Sequence, residues 1–263
     1  MEIISALSLN QRGFFCGDQS ITYPVKDETI PTSVLLSLCM FLVTFSVIIL
    51  ESWKVKSCRT VRFRCCATKC GHRLSRICQP ILAGFTIFFI YWLVFIIDLL
   101  IKLSVGELRP NFIDVCKPNW SEINCTDSNG NLQYIFPIPC NETDNWSLQK
   151  ARTSFPSGHA TLPAFSVTVI ILYLHEMFPK SSLRVLVQFV LVMFAYYMGI
   201  SRVWDHMHHW WDVAAGFVFG TIWGYVVKKH FLGMYFPSVQ STSEKGDRLR
   251  VAENEKFIYK ESV

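Results

Sequence analysis

Charge is scarce in this sequence. Asp, Glu, Lys and Arg make up 17% of the 263 residues, against 51% that are hydrophobic, and the mean hydropathy is +0.30. Soluble domains carry about 25% charged residues, so the composition excludes that class and points to an integral membrane protein. Internal repeats and low-complexity linkers are also missing, which leaves a single helical domain rather than a solenoid or a string of modules. Met1 to Asn10 have neither the basic start nor the long apolar core of a signal peptide, so the first span is expected to act as an uncleaved targeting signal. Acidic residues nearly vanish from one region, where Lys54, Lys56, Arg59, Arg62, Arg64, Lys69, Arg73 and Arg76 face Glu51 alone. Excess Lys and Arg in a membrane protein marks cytoplasmic loops. The formal charge of +5 therefore carries no nucleic-acid meaning.

What is present in quantity is apolar sequence of spanning length. Five segments, 30–50, 81–101, 161–178, 184–201 and 212–227, meet or approach the roughly 20 residues a helical crossing needs. The expected fold is all-α, a polytopic transmembrane bundle of about five spans. The basic loop after the first span is cytoplasmic, which places residues 1–29 outside. The bundle occupies 30–227, with a long exoplasmic loop at 103–156, and 228–263 read as a loosely ordered cytoplasmic tail. Its last residues, Glu261-Ser262-Val263, read as a spent end rather than a peptide-domain ligand. Lys180 and Arg184 fit a short cytoplasmic turn. Four N-x-S/T sequons, at Asn119, Asn124, Asn141 and Asn145, fall in the exoplasmic loop, where glycosylation is possible.

Cys116, Cys125 and Cys140 in that loop, with Cys16, make four exoplasmic cysteines; three pairings are possible and sequence does not choose among them. Cys58, Cys65, Cys66, Cys70 and Cys78 belong to the cytoplasmic loop. Cys66-x3-Cys70-x-His72 lacks a second ligand pair for zinc, so these read as reduced or palmitoylated thiols.

The chemistry gathers at exoplasmic helix ends. Asp98 and Lys102 stand at the i,i+4 spacing of an ion pair. Pro156-Ser157-Gly158-His159 opens the third span. It is a plain N-cap or an anion site, since free N–H groups beside a glycine suit either. Lys102, Arg109 and Arg202 facing Ser157-Gly158 would suit a group with several anionic oxygens, a phosphate above all. The stretch from Ser201 to Asp212 packs one arginine, three histidines and two aspartates between spans. If Asp212 opens its span helically, His208 and Asp212 share a face, and the carboxylate fixes the histidine tautomer for nucleophilic attack. His159, from another helix, can hold and return the proton. Asp205, His206 and His209 are off the spacing and read as polar bystanders, with no trio at a trusted metal-ligand spacing. Trp204, Trp210 and Trp211 read as an interfacial belt.

Lys102-x6-Arg109-Pro110, Pro156-Ser157-Gly158-His159 and Ser201-Arg202-x5-His208-x3-Asp212 together resemble the three ordered motifs of the type 2 phosphatidic acid phosphatase superfamily. From Gln11 to about Val227 the chain further resembles its lipid phosphate phosphatase branch. That resemblance implies a metal-independent, cofactor-free hydrolase of lipid phosphate monoesters such as phosphatidate, lysophosphatidate, ceramide 1-phosphate and sphingosine 1-phosphate. It places the phosphohistidine nucleophile at His208, the orienting carboxylate at Asp212 and the acid–base histidine at His159. Lys102, Arg109, Ser157, Gly158 and Arg202 take the phosphate. It also implies a plasma-membrane or endomembrane enzyme whose site faces outside or the lumen, with homo- or hetero-oligomers of family members as partners. The branch usually has six spans; Met1 to Asn10 stand where the first is expected. This motivates two other readings, an impaired variant lacking the first helix that partners full-length homologues, and a related phosphotransferase.

Overall fold

The computed structural model describes residues 10–60 and 75–232. Cys65, Cys66, Cys70 and His72, and the tail from 233, lie outside the described residues. Seven α-helices follow in order: α1 Thr32–Thr60, α2 Ser75–Val105, α3 Phe112–Cys116, α4 Asn145–Ala151, α5 Gly158–Met177, α6 Ser182–Trp204 and α7 Trp210–Val226. A two-residue strand pair, β1 Phe14–Phe15 and β2 Tyr134–Ile135, is antiparallel, with Phe14 opposite Ile135. The chain is thus the helical bundle its apolar runs predict.

Among the described residues, four helices are long and apolar enough to cross a membrane: Thr32–Lys56, Cys78–Val105, Gly158–Met177 and Ser182–Trp204. The fifth expected span, α7, has 17 residues, the short end of the crossing range of about 17–25. It continues as a π-helical turn over Val227–Leu232, in which Lys228 is buried and donates to Glu176 (2.7 Å). The helical body therefore runs past 227, where the sequence placed the start of the tail. Composition does not reveal the Lys228–Glu176 ion pair that ties this turn to α5.

Helix α5 lies at the centre and contacts α1, α2, α6 and α7. On α1 the buried residues Leu35, Cys39, Val43 and Val47 recur every fourth position, meeting Ala83, Ile87 and Tyr91 of α2 and Leu162, Phe165 and Val169 of α5. Between them Leu38, Phe41, Phe45 and Ile49 are exposed. An apolar residue on both faces is what a helix needs when its outer solvent is lipid.

The closest approach is between α5 and α7. Gly216, Gly220 and Gly224 recur every fourth residue on the α7 face, and a Cβ on Gly220 would come 2.2 Å from the Thr161 carbonyl oxygen. Small residues at this spacing let two backbones touch. The contact fixes the site, because it sets the start of α7 beside the start of α5, where Ser157 N donates to Asp212 O (3.1 Å). A Gly220→Leu variant is expected to lose about 3 kcal/mol or more of stability through overpacking. The check is the thermal midpoint and monodisperse yield in detergent, both of which should collapse relative to a Phe89→Leu control on the exposed face of α2.

Outside the bundle, Phe14, Ile21, Leu108, Phe112, Cys116 and Ala151 form a second small core. Disulfides Cys16–Cys125 and Cys116–Cys140 close it, which resolves the pairing left open by sequence. Residues 10–31 thereby become a strap across the helix ends on this side of the bundle. Asn10 N donates to Leu103 O, Tyr23 N to Pro110 O and Lys26 Nζ to Trp204 O.

Candidate active site

The eight residues singled out by motif meet at one end of the bundle. Lys102, Arg109, Gly158, His159, Arg202 and His208 line one cavity of about 100 Å³. Ser157 and Asp212 stand directly behind, with Ser157 at the N-cap of α5 and Asp212 in the first turn of α7. Residues from α2, α5, α6 and α7 and from the loops beside them thus converge on a space closed by the strap.

The cations come first. Lys102 Nζ lies 3.6 Å from Asp98 Oδ2, the i,i+4 pair that the sequence predicted, and it also donates to Pro156 O. Thr161 Oγ1 donates to the other Asp98 oxygen (3.1 Å). Arg109 donates to Met207 Sδ (3.2 Å) and to Thr153 O (3.4 Å), both weak anchors that leave its charge unmatched. Burial, with the neighbouring Arg202, pushes the Arg109 guanidinium down to about 10 against the pull of Glu28 and Asp212, so it remains charged at neutral pH. Arg202 is 1% exposed, and its two Nη atoms pair with Asp205 (2.6 Å) and Glu28 (3.4 Å).

Several buried polar atoms have no hydrogen-bond partner: Arg109 Nε, Arg202 Nε and Ser157 Oγ, with His208 Nδ1 and Asp212 Oδ1 beside them. A buried polar group left unpaired is costly. Ser157 is telling, because a serine at an N-cap normally accepts from its own helix; here its side chain makes no such bond. These unspent donors on cationic and hydroxyl groups fit a ligand bearing several anionic oxygens.

The histidines differ from the sequence picture in one respect. His208 is not on the helix; it precedes the N-cap, which is His209. The separation of four residues still delivers His208 Nδ1 to 3.7 Å from Asp212 Oδ2, but by a turn rather than a shared helix face. His209, read as a bystander, forms a capping box with Asp212: its backbone N donates to Oδ2 (2.9 Å) and its Nδ1 lies 3.3 Å from the same oxygen. Ser154 Oγ adds a bond of 2.6 Å. The carboxylate is thus fixed by groups other than the histidine it faces. The His209 contact was legible as a capping-box spacing of three; Ser154 had no sequence signal.

Burial holds His208 well below the ordinary histidine range, with Arg109 and Lys102 adding to it and the nearby Asp212 carboxylate opposing, so the ring is neutral at neutral pH. His159 Nε2 lies 3.1 Å from Ile30 O; a carbonyl only accepts, so this nitrogen carries the hydrogen.

Other residues have structural parts that sequence did not show. Asp205 accepts from Thr29 N (2.8 Å) and Thr29 Oγ1 (2.6 Å), tying the strap to Arg202. His206, at φ +55°, is partly buried, contacts Pro24 O (3.0 Å) and is not among the cavity-lining residues. Glu107, His209 and Asp212 bring potential metal donors within 4.8 Å of one another, but Glu107 accepts from Trp211 Nε1 (3.0 Å) and Asp212 from Ser154 Oγ and the His209 backbone N. Trp204, Trp210 and Trp211 are exposed at helix ends, as an interfacial belt requires.

The PAP2 superfamily model matches residues 81–233, a segment that holds every motif residue but not the strap. The chain is 31% identical over 238 residues to phospholipid phosphatase 1 of Rattus norvegicus, covering 89% of this chain and 80% of that protein. It is 32% identical over 215 residues to phospholipid phosphatase 2 of Mus musculus, covering 81% and 73%. No solved structure matches the chain. With the motif residues in order, in one cavity, and within the matched segment, the chain belongs to the PAP2 superfamily.

Proposed function

We propose that this protein is a metal-independent integral-membrane phosphatase that hydrolyses lipid phosphate monoesters of the phosphatidate, lysophosphatidate, ceramide 1-phosphate and sphingosine 1-phosphate type. The observation that carries the reading is the set of unpartnered buried donors on Arg109, Arg202 and Ser157 around a cavity with a histidine on either side. The similarity to phospholipid phosphatases supports the lipid substrate. Leu35, Leu36, Phe95 and Leu162 line the same cavity on the bundle side and offer an apolar wall beside the phosphate.

Neutral His208 attacks phosphorus with its Nε2, forming a P–N bond as the P–O bond to the lipid breaks. Asp212 compensates the charge that develops on the ring. His159 gives its proton to the leaving alkoxide, then takes one from water as that water displaces His208 and releases inorganic phosphate. Lys102, Arg109, Arg202, Ser157 and the backbone at Gly158 hold the phosphoryl oxygens. The exoplasmic side is supported by the four sequons and two disulfides gathered at this end of the bundle. Asn124, Asn141 and Asn145 are exposed there, whereas the Asn119 amide donates to Glu122 (2.5 Å).

The test is phosphate release from lysophosphatidate in mixed micelles with EDTA present. Absence of release by the wild type under those conditions overturns the reading. The pH profile adds a second check. A depressed histidine keeps its attacking neutral form to lower pH, so the His208 limb of kcat/KM should lie below the ordinary value of about 6.5. A plateau broken above that value would mean a nucleophile with an unshifted ring.

A further inference from the structure

Carboxylates stand among the cavity's cations before any ligand arrives. Four cations, Lys102, Arg109, Arg202 and Lys150, stand against four carboxylates, Asp98, Asp205, Asp212 and Glu28. Three of the carboxylates have, besides any cation, hydroxyl or backbone donors that carry no charge. Thr161 holds Asp98, Thr29 holds Asp205, and Ser154 with the His209 backbone holds Asp212.

Glu28 differs. Its side-chain partners are Lys150, on α4, and Arg202 Nη1 at 3.4 Å. It sits on the irregular strap, lines the cavity, and its side chain is 20% exposed. Burial pushes it up, but the Lys150 bond and the charges of Lys150, Arg202 and Arg109 outweigh this and keep it ionised. Its two oxygens therefore bridge two cations as two phosphoryl oxygens would, next to an Arg202 Nε that nothing satisfies.

We propose, on the reading of this cavity as a phosphate site, that Glu28 holds the place of the substrate phosphate and that Lys150 is a further phosphate-binding cation. On binding, phosphoryl oxygens replace the carboxylate between Arg202 and Lys150, and Glu28 withdraws toward solvent with the strap. Neither residue lies in a motif, and Glu28 precedes the segment that the family model matches. A salt bridge that only tied strap to loop would behave differently, because removing either partner would then loosen the site in the same direction.

The opposite signs make the test. Inorganic phosphate is titrated calorimetrically into the detergent-solubilised full chain, a measurement that reads the cavity whether or not lipid is turned over. Glu28→Gln is expected to tighten phosphate binding about tenfold, and Lys150→Met to weaken it about tenfold, the scale of one charge-assisted hydrogen bond. Lys150→Arg should keep the wild-type affinity. Lys26→Met, which removes a strap contact to Trp204 O away from the cavity, should also bind as the wild type does. Weaker binding by both Glu28→Gln and Lys150→Met, no change in either, tightening by Lys26→Met equal to that of Glu28→Gln, or no phosphate binding by any variant overturns the proposal. Wild-type hydrolysis of lysophosphatidate without this ordering of affinities sinks the proposal alone. The ordering without hydrolysis sinks the proposed function alone.

Discussion

His208→Ala is expected to reduce phosphate release by at least about 10⁴-fold, the scale of removing a nucleophile that works as part of a unit. The other two buried histidines at this end of the bundle are each held by a different partner. His159 has its Nε2 on Ile30 O, and His209 Nδ1 is engaged by Asp212 while its ring stacks on Trp211 at 4.4 Å. His206→Ala serves as the comparison, since His206 bonds to Pro24 O and does not line the cavity; its kcat should stay within about threefold of wild type. Phosphate release from lysophosphatidate measures both. Equal losses in the two variants would remove His208 from the nucleophile's position, and a His208→Ala protein that retained activity would do so outright.

Asp212→Asn should lower kcat by about 10²–10⁴-fold while leaving the fold intact. The asparagine oxygen can accept from Ser154 Oγ and His209 N as Oδ2 does, and the new NH2 falls where Oδ1 now has no partner. The start of α7 therefore keeps its cap. What is lost is the negative charge 3.7 Å from His208 Nδ1, which stabilises the ring as it gains positive charge. The signature is a fall in kcat with the thermal midpoint within a few degrees of wild type. A large fall in midpoint instead would mean that the carboxylate serves mainly to hold the loop from Ser154 to His209.

The ion pair of Asp98 with Lys102 and the convergence of three motifs were legible because each depends on spacing within one helix or on span order. The His208–Asp212 relation was legible as a distance but not as a geometry. A spacing of four suggests a helix face, yet His209 takes the N-cap, so the turn before α7 makes the approach and the capping box gives His209 the shorter contact. Asp205 shows the reverse error: off the motif spacing, it still holds Arg202 and the strap together. The pairing of Cys16 with Cys125 was open, since four cysteines give no preference without coordinates. Glu28 had no signal at all, being one carboxylate in a polar segment.

By itself the sequence determined that the chain is a polytopic helical membrane protein and which helix ends bear the motif residues. Apolar length and loop charge are local properties that survive without coordinates. The tertiary structure decided which of those charges meet. That depends on α5 and α7 touching along Gly216, Gly220 and Gly224, and on a strap whose disulfide and hydrogen bonds lay Glu28 and Ile30 over the cavity. Both are contacts between distant segments, and no spacing along the chain encodes the distance between them.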